Sequence, residues 1–169
     1  MTVVVAGLLF ASVSAEPSPT TESQINRIKA NCTSAKNTLS QLHASDALLR
    51  VNRGQIYESM TTKLMSPFNA RIASNSLDAS DLVTVTSNYG IALTTFRNDY
   101  QAYEEKLSLA LRIDCSKEPV SFYDAVTSSR TKRVQVHQDV VKLHQFIDKY
   151  SLDTNEFADK FAANGGDTN

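Results

Sequence analysis

The chain has 169 residues, with 17 Lys and Arg against 18 Asp and Glu and a formal charge of −1. That balance argues against a general nucleic-acid binder, which carries a basic excess, and an ordinary apolar fraction of 41% argues against wholesale disorder. Only five glycines disfavour an all-β fold, and with neither G-x-G-x-x-G nor G-x-x-x-x-G-K-[ST] present there is no nucleotide loop.

Residues 2–13 (TVVVAGLLFASV) are uncharged and lead into Ser14-Ala15-Glu16-Pro17. Val13 and Ala15 fit the small-residue rule before a signal-peptidase cut, so residues 1–15 read as a signal peptide and Glu16 as the mature start. The apolar run is short for a membrane span; an uncleaved N-terminal anchor is the alternative. Residues 16–21 (EPSPTT) form a polar linker in which Pro17 and Pro19 block a helix.

A first helix is expected over about 22–66. Ile25, Ile28, Cys32, Ala35, Leu39, Leu42, Leu49, Ile56 and Met60 fall on alternating three- and four-residue steps, the a/d seam of a coiled-coil-like helix. Asp46 and Arg53 occupy seam positions where apolar residues belong, and Pro67 is expected to stop or kink the helix. A break at Val51-Asn52-Arg53-Gly54 would give four helices instead of three.

Residues 73–78 (ASNSLD) read as a turn, with Asp78 as the N-cap of a second helix over about 79–114. Leu82, Tyr89, Leu93, Phe96, Tyr100, Tyr103, Leu107 and Ala110 make its apolar stripe. Ser116-Lys117-Glu118 connects to Pro119, which suits the first turn of a third helix over about 119–162. Its seam is Phe122, Val126, Val136, Val140, Leu143, Ile147, Tyr150, Phe157 and Phe161, interrupted by Ser129, Arg133 and Thr154. Residues 164–169 read as a disordered tail. The body of the protein is therefore a helical domain over 22–163.

Cys32 and Cys115 lie equally far from the turn near Asn75, so an antiparallel hairpin brings them level. Their pairing predicts an all-α, elongated, up-down-up three-helix antiparallel bundle with coiled-coil-like packing and arms of ~60 Å. It also calls for an oxidising compartment. The alternative is that Cys32 is a small core residue on the seam. In this register Asp46 comes level with Tyr100, Tyr103 and Arg133, which predicts a buried polar layer; the competing reading turns Asp46 and Arg133 outward. Gly54 and Gly90 also come level, with Tyr57 nearby, and suggest a close helix approach, a hinge or a groove.

Little catalytic chemistry can be assembled. His43, His137 and His144 lack the tight spacings of zinc motifs, so neither a metal nor another cofactor is expected. No G-x-S-x-G elbow exists, and a disulfide-bonded cysteine cannot act as a nucleophile. Asp99, Glu104 and Glu105 beside Lys106 read as a solvated helix face. The basic residues Arg130, Lys132, Arg133, Lys142 and Lys149 are interleaved with Asp139 and Asp148, which favours a mixed charged face over an anion-binding strip.

The segments HASDALLRVNRGQIYESM (43–60), FRNDYQAYEEKL (96–107) and RIDCSKEPVSFYDAV (112–126) resemble those of exported, uncharacterised helical proteins from small-genome candidate-phylum bacteria of the Saccharibacteria type. The resemblance implies an exported bacterial helical protein and assigns no site residues. These readings converge on a non-enzymatic structural or protein-interaction module at the cell envelope or outside the cell. Its expected partner is a protein or envelope component, with membrane contact only through an uncleaved N-terminus. The alternative is a small-molecule or lipid carrier with a cavity between helices.

Overall fold

A computed structural model describes residues 21–165. The expected signal peptide, the linker up to Thr20 and residues 166–169 of the expected tail lie outside the described residues. The chain is all-α, with no strand among the described residues. Its elements are α1 (Glu22–Ala30), α2 (Cys32–Ser59), a π-helical turn (Met60–Met65), α3 (Ser66–Ser74), α4 (Ser80–Arg112) and α5 (Pro119–Gly165).

The expected single helix over 22–66 is not observed. Thr21 opens α1 with a capping box: its Oγ1 accepts from the Gln24 amide while Gln24 Oε1 accepts from the Thr21 amide. Asn31 then leaves helical geometry (φ −104°, ψ 11°), its side-chain amide donating to the Arg27 carbonyl at 2.8 Å. This local bonding competes with the helical ladder and separates α1 from α2. The first arm is thus divided, as the four-helix alternative supposed, but not at Gly54, where α2 is continuous.

The helix does not stop at Pro67 either. It widens over Met60–Met65, where the Ser66 amide bonds back to the Thr61 carbonyl, and resumes as α3 with Pro67 in its first turn. A proline inside a regular α-helix crowds the carbonyl four residues earlier, here that of Lys63, and the wider turn relieves that crowding. Two phenols brace the irregular stretch. Tyr89 donates to the Tyr57 carbonyl at 2.8 Å, and Tyr150 donates to Asn69 Oδ1 at 2.8 Å beside the Met65 carbonyl at 3.2 Å. Asn69 in turn donates to Thr86 Oγ1 at 2.9 Å.

Ser76 closes α3 at φ 59°, with the Leu77 amide bonded to the Ile72 carbonyl and the Ser76 amide to that of Ala73. These are the two bonds of a Schellman motif. Asp78 Oδ1 accepts from the Ser80 amide at 2.9 Å, so the capping carboxylate sits one position before Ala79, the N-cap residue.

α4 is the central strut. All eight residues of its expected stripe are buried, joined by Val85 and Ala92. α5 makes the most extensive packing with α4, α2 also leans on α4, and α1 touches α5. The Cys32 and Cys115 sulfurs lie at disulfide-bonding distance, with Cα atoms 5.5 Å apart, and tie the start of α2 to the end of α4.

The coiled-coil seam expected of the first arm is lost in the second half of α2. Leu49, Arg53 and Ile56 are exposed, whereas Asp46 and Tyr57 are buried. A heptad repeat holds one face only if helices supercoil; a straight helix returns to the same face after eleven residues, the spacing of Asp46 and Tyr57.

Candidate ligand cleft

Two contacts fix how α2 faces α5. Asp46 receives Arg133 in a two-pronged pair, Nε to Oδ2 at 2.9 Å and a terminal nitrogen to Oδ1 at 3.1 Å. Tyr57 Oη lies 3.1 Å from His144 Nε2. Both pairs span 87 residues, so the two helices run parallel and in register. Between these bridges α2 and α5 stand apart over eleven residues, or ~16 Å of helix.

The gap is a cleft of about 660 Å³, within the size range of small-molecule sites (about 300–1,000 Å³). Its floor is Phe96, Tyr100 and Tyr103 of α4. Leu49, Arg50 and Arg53 come from α2, and Arg130, Val134, His137 and Val140 from α5. Leu49 and Val134 remain 47% and 55% exposed although both are aliphatic lining residues.

The lower wall is polar and closely satisfied. Asp46 also accepts from the Tyr103 hydroxyl at 2.7 Å. Burial alone would raise its carboxyl, but the bonds from Arg133 and Tyr103 and the guanidinium charge carry it below the usual carboxylate range. Burial, with the hydrogen bond to Asp46, pushes the Tyr103 phenol well above its usual value. Of the expected polar layer, Asp46, Tyr103 and Arg133 meet directly.

Tyr100 makes a different bond: its hydroxyl donates to Glu104 Oε1 at 2.7 Å, and Glu104 Oε2 lies 2.8 Å from His43 Nε2. Glu104 is therefore not part of a freely solvated face; it is half-buried between a tyrosine and a histidine. The Arg50 guanidinium lies over the Tyr100 ring at 5.1 Å from its centre.

The two glycines do not provide a close approach. A Cβ built on Gly54 or Gly90 meets nothing within 4 Å, and α2 and α4 continue through them. Tyr57 lines the cleft, while neither glycine is among the lining residues. The histidines occupy three separate settings: His43 on Glu104, His144 on Tyr57, and His137 in the cleft wall. Among the described residues no group of three His, Cys, Asp or Glu side chains is placed to hold a metal.

Sequence reasoning missed the contribution of Arg50, Arg53 and Arg130 to one site. Among the described residues none of the three has a carboxylate within ion-pair distance, whereas Lys132 reaches Asp99 at 4.0 Å and Lys149 pairs with Asp153. The partners of those lysines are Asp99 and Asp153, not the interleaved Asp139 and Asp148 on which the expected mixed face rested. The signal for the others was the arginine at the Arg53 seam position, an unfilled place in an apolar stripe.

No family model, curated protein or solved structure matches the chain. No described helix is long and apolar enough to cross a membrane.

Proposed function

We propose that this protein is an exported carrier that holds an apolar or amphipathic small molecule in the cleft between α2 and α5. The observation that carries the reading is the cleft, with an aromatic floor and an aliphatic lip from each wall helix. Exposed aliphatic lips over an open, ligand-sized volume mark a binding surface more readily than a packed bundle does. Export rests on the apolar leader sequence and on the cysteine pair, which an oxidising compartment would preserve. The bundle acts as a frame for the guest and performs no chemistry of its own.

The test is uptake of a neutral apolar dye such as Nile red by the purified full chain. Fluorescence enhancement is expected in the parent and is expected to be lost in Leu49→Asp and Val134→Asp. Enhancement unchanged in both variants would remove the cleft as the site.

A second reading has its own observation. Leu48, Val51 and Ile56 are 64%, 51% and 57% exposed on α2, apolar side chains that a protein partner of an envelope interaction module would cover. Pull-down from envelope fractions, alongside size-exclusion light scattering, tests it; a strict monomer retaining nothing would count against it.

A further inference from the structure

We infer that the ligand is an anionic single-chain amphiphile, its carboxylate or phosphate head held by Arg50, Arg53 and Arg130 and its chain lying along Leu49, Val134 and Phe96. This deepens the carrier reading and rests on it. The cleft residues include four arginines and one aspartate, so a protein of net charge −1 concentrates positive charge at this aliphatic-lipped cleft. Asp46 neutralises Arg133 and leaves the other three without a carboxylate partner among the described residues.

Their positions follow from the α2–α5 register. Arg50 and Arg53 project from α2 between the two bridges, at the levels of His137 and Val140 on α5. Arg130 lies one turn below Arg133, at the level of His43. A head group in the lower half of the gap, beside Arg50, is within reach of Arg53 one turn above it and of Arg130 below the Asp46–Arg133 bridge. Arginine suits this role because its planar fork donates two parallel hydrogen bonds to carboxylate or phosphate while its stem stays apolar. Stacking on Tyr100 holds Arg50 in place with its N–H groups still available.

The experiment compares dodecanoate, dodecyl phosphate, dodecanol and dodecylammonium by calorimetry, below their micelle-forming concentrations, on the full chain. The two anions are expected to bind at least tenfold more tightly than dodecanol, and dodecylammonium more weakly still. Arg53→Gln and Arg130→Gln are each expected to weaken the anions about tenfold and leave dodecanol unchanged, the size of one charge-assisted hydrogen bond. Arg71→Gln, remote from the cleft, is expected to alter nothing. Far-ultraviolet circular dichroism confirms that each variant is folded. Preference for dodecanoate over dodecyl phosphate, or the reverse, assigns the head group.

Equal binding of dodecanol, dodecylammonium and the anions would overturn the anion assignment while leaving the carrier reading intact. Binding of none of the four, with no Nile red uptake, would overturn both. A dimer of the unliganded chain that Leu49→Asp dissociates would give the cleft to a second copy instead.

Discussion

Asp46 is the residue whose removal strands the most. Asp46→Ala leaves the Arg133 guanidinium and the Tyr103 hydroxyl without their shared acceptor. A loss of ~2–3 kcal/mol is expected, below the range for a fully buried pair because Arg133 is half-exposed. Chemical denaturation of Asp46→Ala and of an Asp46→Leu/Arg133→Leu double variant checks this; the double variant should recover most of the loss. The same carboxyl sets an acid limit. Its folded pKa lies below that of the unfolded chain (about 3.9), so its contribution is complete above that value and is lost as pH falls through the folded value. Melting temperature against pH should therefore fall less steeply on the acid side in Asp46→Asn. Asp139 behaves in the opposite sense. Burial, then the nearby Asp99 charge, raises its pKa, and its Oδ2 has no hydrogen-bond partner among the described residues. Its favourable contribution is intact below the unfolded value and disappears as pH rises through the folded one, so the ionised group opposes folding at neutral pH. Asp139→Asn is expected to raise the neutral-pH melting temperature. Asp46, Tyr103 and Arg133 were legible in the sequence because the turn and the cysteines set their levels. Glu104 was not, because its partners come from a helical neighbour and from another arm, and charge alone reads as solvation.

Among the elements, α4 was the most legible, since it packs against the rest on more than one side and a buried stripe must then be apolar at every turn. The second half of α2 was the least legible. Its sequence continues a heptad through Leu49, Arg53 and Ile56, but the straight helix buries Tyr57 instead. The π-turn left one trace, Pro67, because a change of hydrogen-bond register has no residue signature of its own. Its bracing is testable: Tyr89→Phe and Tyr150→Phe are each expected to cost ~1–2 kcal/mol and to speed hydrogen exchange over residues 60–66. The glycines within helices give the reverse prediction. Gly54→Ala and Gly90→Ala meet open space, so each should raise stability by ~1 kcal/mol, measured by denaturant midpoint. A loss would mean that bending at these positions matters to the native state.

At the scale of the molecule, the all-α class followed from periodicity, and the cleft did not. A stripe records which residues avoid water, but not whether the facing helix comes close enough to cover them; Leu49 satisfies the pattern and stays open. The cysteine pair governs stability more than it governs the cleft. It closes a loop between residues 83 apart, worth up to ~4.5 kcal/mol on the chain-entropy model. Reduction, or paired replacement by serine, should lower the melting temperature substantially. Ligand binding at a temperature where the reduced chain remains folded should change little, because the Asp46–Arg133 and Tyr57–His144 bridges hold α2 to α5 without it.

The arrangement of α2 has a mechanical meaning as well. One end is tied at Cys32, and the other runs through the braced turn into α3, where Asn69 joins it to α4 and α5. A rod pinned at both ends bows at mid-span and does not swing like a door. The bow is greatest where the two side-chain bridges are the main restraint, so a guest can enter by spreading the middle while both ends stay anchored. Spin labels at Gln55 and Gln138 should report a broader distance distribution than labels near either anchor, and that breadth should narrow when the cleft is filled.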